Sequence, residues 1–143
     1  MKRKYITKAD LLVVLHYIGY IMQGLGIIFL APILIAVIYG EYINVWAFLI
    51  PCFISFALGT VFTIKLKNYD KLRLKHGMLI SSFAWLWASL IGASIMFLSL
   101  GIPFVDALFE NMSAWTGSGM TFFVNVEILP KSILFMRSLE QWI

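Results

Sequence analysis

Cysteine occurs once, at Cys52, so no disulfide can close within the chain; its place inside an apolar run marks it as a small packing residue. Charge is scarce as well: Asp, Glu, Lys and Arg make up 13% of the 143 residues, against about 25% in ordinary soluble domains. The segments Leu11 to Tyr39, Ile43 to Ile64 and Gly77 to Val105 contain none of these four residue types. Two His and one Cys provide no grouping with metal-ligand or nucleophile spacing, and Gly117-Ser118-Gly119 lacks the following Lys-Ser/Thr of a phosphate-binding loop. Enzymatic activity is not expected, nor is a cofactor or a resident metal.

What is there instead is apolar: 62% of the residues are hydrophobic and the mean hydropathy is +0.92. A water-soluble fold of this length could not hide that much apolar surface. Each charge-free run exceeds the roughly 18 to 20 apolar residues that cross a bilayer core about 30 Å thick. The first is too long for a secretory signal and ends in no small-residue cleavage site. The formal charge of +4 does not point to nucleic acid, because the basic residues alternate with the spans. Lys2, Arg3, Lys4 and Lys8 precede the first run, Lys65, Lys67, Lys71, Arg73 and Lys75 follow the second, and none occurs from there to Lys131. The positive-inside rule puts both basic clusters in the cytoplasm and the connection carrying Glu41 outside.

The predicted architecture is an all-α integral membrane protein that contacts lipid directly. Residues 1–75 form an N-terminal transmembrane helix pair with a cytoplasmic basic loop; 76–143 form a helix, pore loop and helix unit whose last helix is cut short. The first span, about Leu11 to Tyr39, is expected to tilt or kink near Pro32. Within it, His16 reads as a satisfied interfacial or interhelical residue. The second, about Val45 to Ile64, returns with Tyr42 and Trp46 as interfacial anchors. The third carries the small-residue stripe Ala84, Ala88 and Gly92, which lets another helix approach closely.

Gly101 and Pro103 end that run, and Phe104 to Trp115 reads as a helix of about 18 Å, too short to cross. Asp106 and Glu110 fall on one face of it, suited to a helix N-terminus or a solvated outer mouth. The stretch Thr116-Gly117-Ser118-Gly119-Met120-Thr121 is a poor helix, and at membrane depth such backbone must be buried in protein or line water. A half-helix followed by glycine-bearing loop carbonyls can replace the hydration shell of a cation. The candidate ion-binding residues are Thr116, Gly117, Ser118, Gly119 and Met120. Phe122 to Leu129 then climbs back, and Pro130 opens a last helix containing Lys131, Arg137 and Glu140.

The stretch from Asp106 to Thr121, with Glu127-Ile-Leu-Pro-Lys-Ser-Ile-Leu-Phe-Met-Arg-Ser-Leu-Glu-Gln-Trp-Ile, resembles the first pore region of the Trk/Ktr/HKT potassium transporter superfamily. In that family a pore helix ends in a Thr-rich loop with a key glycine, then a Leu-Pro segment and an Arg-Ser-x-x-Gln-Trp helix start. The helix pair ahead of it is similar to the TrkH branch, so the chain reads as its N-terminal portion. The resemblance makes Gly119 the filter glycine, although Gly117-Ser118 departs from the commoner Thr-Thr-Thr-Gly. It further implies potassium uptake across the cytoplasmic membrane, four helix-pore-helix repeats in the complete protein, a homodimer and a cytosolic TrkA-type nucleotide-binding subunit. The alternative reading is a non-conducting membrane assembly or accessory subunit.

Overall fold

The computed structural model describes residues 8–66 and 72–143. Among them there is no strand, and six α-helices follow in order: α1 (Lys8–Ile28), α2 (Ala31–Ile38), α3 (Tyr42–Lys65), α4 (Leu74–Leu100), α5 (Phe104–Trp115) and α6 (Lys131–Trp142). Lys2, Arg3, Lys4, Lys67 and Lys71, on which much of the predicted sidedness rests, lie outside the described residues. Among the described residues, three segments are long and apolar enough to cross a membrane: Asp10–Ile38, Tyr42–Lys65 and Leu74–Leu100.

The first span is broken where a kink was expected, at Phe29 and Leu30, just ahead of Pro32. Proline has no N–H to continue the ladder, and it sits here in the first turn of α2, where that donor has no partner to lose. α1 and α3 pack closely because glycines face each other. A Cβ on Gly59 would stand 2.6 Å from the Gly19 carbonyl oxygen and 3.0 Å from the Gln23 nitrogen, both backbone atoms that cannot swing aside. Polar groups in this crossing find partners across it. Ser55 Oγ donates to the Met22 carbonyl at 2.7 Å, Gln23 Nε2 donates to Thr63 Oγ1 at 3.1 Å, and Trp87 Nε1 of α4 donates to Ser55 Oγ at 3.0 Å.

Near the N-termini of α1 and α4, Asp10 receives Lys75 Nζ at 2.6 Å and faces His76 Nε2 at 2.7 Å, so the charged end of α4 is tied to α1. His16 lies edge-on to the rings of Tyr17 and Tyr20 of the same helix, and its Nδ1 has no hydrogen-bond partner among the described residues, so the expected satisfied interfacial or interhelical residue is corrected to one whose ring contacts stay within α1. At the opposite end of α4, Gly101 takes the left-handed conformation at φ +65° that closes the helix. The chain then turns back. Phe104 meets Phe97 at 6.2 Å between ring centroids, Asn111 lies against Gly92, and Ser89 Oγ approaches Met112 Sδ at 3.4 Å. α5 thus retraces the second half of α4 and stops near its middle.

α6 starts from the same end as α5 and runs alongside it. Its first turn is capped from a distance of ninety positions in sequence: Glu41 Oε1 accepts Lys131 N at 2.7 Å, and Oε2 accepts Ser132 N at 3.2 Å and the Ser132 hydroxyl. Asn44 joins the cluster through Ser132 Oγ at 3.0 Å and accepts Ser99 Oγ at 2.6 Å, which binds the turn before α3 to the ends of α4 and α6. Partial burial by itself would push the Glu41 carboxyl up, but the hydrogen bonds from Ser132, Lys131 and Asn44 together hold it below the ordinary value of 4.5.

Two outcomes follow from this packing. Gly59→Ala should destabilise the purified protein by about 1–3 kcal/mol through overpacking, whereas Gly24→Ala, with open space around the added carbon, should be neutral or up to about 1 kcal/mol stabilising; paired thermal melts compare them. Because the folded pKa of Glu41 is depressed, its contribution is present above its unfolded value and is lost as pH falls through the folded one. Wild type should therefore lose stability in acid more steeply than Glu41→Gln, and the variant should give up about 0.5–2 kcal/mol of α6 capping at neutral pH.

Candidate functional site

α5 buries the face formed by Ala107, Glu110, Asn111 and Ala114, the spacing of an amphipathic helix, with two of the four polar. Those polar positions organise the non-helical segment that follows. Glu110 has no exposed surface, and its Oε1 accepts Thr121 Oγ1 at 2.5 Å and the Phe122 backbone N–H at 2.7 Å. Its Oε2 forms an ion pair with Arg137 Nη2 of α6 at 2.8 Å. The expected solvated mouth role for Glu110 is therefore corrected. A carboxylate without water must find charge and donors nearby, and here it takes both from the loop and α6.

Ser113, also buried, is the second anchor. Its hydroxyl donates to the Met120 carbonyl at 2.6 Å and lies 3.0 Å from Ser118 Oγ, while its own carbonyl accepts Ser118 N at 3.2 Å. Thr116 Oγ1 folds back onto the Met112 carbonyl at 2.8 Å, and Gly117 N donates to the Ala114 carbonyl at 3.0 Å. Gly117 and Gly119 both take left-handed backbone, at φ +67° and +66°. A non-glycine residue pays about 1–2 kcal/mol there. The space is not the constraint: a Cβ on Gly119 would have as its nearest neighbour Gln141 Nε2 at 3.9 Å, and none would crowd one on Gly117.

The five candidate residues are thus brought together in one exposed turn at the end of α5, but they are not equivalent. The Met120 carbonyl is turned toward α5 and occupied by Ser113. Among the described residues, no hydrogen bond is made to the carbonyls of Thr116, Gly117, Ser118 or Gly119. The climb back from the turn contains a 3₁₀ turn at Val126–Ile128, capped by Asn125 Oδ1 accepting Glu127 N at 3.2 Å.

Sequence reasoning also missed the pairing of Glu110 with Arg137. Helical spacing gave no signal for it: Glu110 has Asp106 and Ser113 among its neighbours one turn away and Arg137 has Glu140 and Gln141, so neither stands out as a lone charge on an apolar stripe. Arg137→Gln should destabilise the protein by about 3–5 kcal/mol, since it leaves a buried carboxylate uncompensated. The double variant Glu110→Gln/Arg137→Gln should recover part of that loss in thermal melts. A double variant no more stable than Arg137→Gln would show that the pair is not what holds the loop.

Comparison with known proteins places this geometry. Residues 45–143, more than two-thirds of the chain, match the family described as "TrkH: Cation transport protein". An uncharacterized cation transporter of Methanocaldococcus jannaschii is 47% identical over 142 residues, covering 96% of this chain and 29% of that protein. The Trk system potassium uptake protein TrkG of Escherichia coli is 32% identical over 130 residues, covering 88% of this chain and 26% of its own length. The corresponding TrkH of Halomonas elongata is 27% identical over 138 residues, covering 94% and 28%. The chain therefore spans under a third of the curated relatives it matches, and within that span it belongs to the TrkH family of cation transport proteins.

Proposed function

We propose that this chain is part of a potassium uptake transporter of the cytoplasmic membrane, and that the Thr116 to Met120 turn is one segment of its selectivity filter. The observation that supports this most is the turn itself. Two left-handed glycines sit at the C-terminal end of a helix too short to cross, near the middle of α4, with the turn anchored from behind by Ser113 and Glu110. Four successive carbonyls, Thr116 to Gly119, are left without protein donors, and the α5 dipole adds partial negative charge at the same place. That combination suits a cation stripped of water. In this reading the Met120 carbonyl is a strut rather than an ion ligand.

Residues 76–143 then act as one helix, pore loop and helix unit, and residues 1–75 as the helix pair that precedes it. One turn cannot encircle an ion, so further filter segments must complete the ring. The N-terminus and the basic loop around Lys65 to Lys75 face the cytoplasm; relatives named as parts of a Trk system support a TrkA-type partner, and the homodimer is carried over from the sequence resemblance.

The test is potassium and sodium uptake in cells expressing the full protein, with its level in the membrane measured in parallel. Gly119→Ser should reach the membrane and lose potassium preference, because φ +66° rather than space is what the substitution offends. Gly24→Ala, in open surroundings within α1, should leave both rates alone. If Gly119→Ser is present at wild-type level with both uptake rates unchanged, the turn is not a filter, and a non-conducting role takes its place.

A further inference from the structure

Behind the turn, where α4, α5 and α6 meet, six buried polar atoms among the described residues lack hydrogen-bond partners: Asn111 Oδ1, Trp115 Nε1, Arg137 Nε, Glu110 Oε2, which meets Arg137 as an ion pair, and both carboxyl oxygens of Glu140. Asn111 is fully buried and Glu140 is 2% exposed. The orientation of the Asn111 amide is fixed, because its Nδ2 donates to the Ala107 carbonyl at 2.7 Å, and a flipped amide would set oxygen against oxygen. Asn111 Oδ1 therefore faces inward as an acceptor. It converges with Glu140 Oε1 on the space beside Gly92: an added Gly92 Cβ would stand 2.6 Å from Glu140 Oε1 and closer still to Asn111 Oδ1. Two acceptors turned to the same small space, with no donor between them, require a hydrogen.

The charges give the same answer. The charged group that acts on Glu140 is Arg137 of α6, and Arg137 is already paired with Glu110 of α5 at 2.8 Å. α4 contributes none at this level, since its titratable side chains, Lys75 and His76, are in its first turn, and α2 has none. An ionised Glu140 would leave two buried carboxylates against one guanidinium.

We propose that Glu140 is a proton-binding site: the folded protein holds it as the neutral acid, with its hydroxyl donating to Asn111 Oδ1. The proton comes from solvent and neutralises the carboxylate, so no other group changes. The remaining Glu140 oxygen is then free to accept from Trp115, whose indole N–H is directed at this carboxyl without being closed into a hydrogen bond. Asn111 Oδ1 and Trp115 Nε1 each gain a partner, and the local charge is zero. The proton joins α5 to α6 at the level of the turn, and its removal sets two acceptors against each other across that contact.

Infrared spectroscopy of the membrane-reconstituted protein tests this without reference to transport. Wild type at neutral pH should show the carbonyl stretch of a protonated carboxylic acid above the amide band, shifting on exchange into D2O and again on labelling with 13C-glutamate. The band should be lost in Glu140→Gln and lost from wild type as pH is raised. The labelled wild-type spectrum needs no variant to fold. If it lacks a glutamate-sensitive acid band at neutral pH, Glu140 is ionised and the proposal is overturned. A band that survives in folded Glu140→Gln overturns it equally, by placing the proton elsewhere.

Discussion

Glu110 has no contact with water, and the region around the short helix depends on how its two oxygens are used. One takes Thr121 and the Phe122 backbone, which fixes where the chain leaves the turn; the other takes Arg137, which fixes where α6 lies beside α5. Burying a carboxylate is expensive unless its charge and lone pairs are both answered. Here the answers come from segments on either side of the climb from Phe122 to Leu129. The same expense ties the geometry down, because a placement of the loop and α6 that withdrew these partners would leave a buried charge unanswered. Charge-assisted hydrogen bonds are also among the stronger polar contacts available.

A second constraint acts from the far end. Glu41 closes the first turn of α6 through two backbone N–H groups and a hydroxyl, so the turn before α3 determines where α6 begins. α6 is thereby held at both ends by carboxylates from elsewhere in the chain, Glu41 at its start and Glu110 in its second half. Its own composition would not have placed it: its buried positions include Ser132 and Glu140 as well as Ile133 and Met136. The helix is positioned by polar partners, and its apolar face is supplementary.

Sequence periodicity and charge gaps made the three long helices and α5 legible, and Phe104–Trp115 falls where Pro103 and the glycine-bearing turn bound it. Hydropathy reports what a segment avoids, and water avoidance is enough to delimit a span. What stayed hidden was pairing. Glu110 looked like a mouth residue because it shares a helix face with Asp106 of the first turn, and only the arrival of Arg137 from 27 positions later shows it to be internal. Glu41 looked like a loop charge for the same reason. Within the turn, glycines could be read as conformational necessities, but which carbonyls stay free could not, since that depends on Ser113 turning its hydroxyl to Met120.

The turn's anchors have a further property: Ser113 and Glu110 belong to the helix that immediately precedes it, so nearly all of its shape is specified within thirteen residues, from Glu110 to Phe122. Local contacts of this kind form without large loop-closure entropy. A filter assembled from separate segments needs each segment to hold its backbone before the ring closes, because carbonyls crowded around an empty axis repel one another. Side-chain anchors behind the turn supply that resistance from within the segment. The arrangement therefore fits the proposed role better than a turn shaped by contacts with neighbouring segments would. It also explains why polar groups with no access to water are concentrated on the inward face of α5, a helix too short to cross.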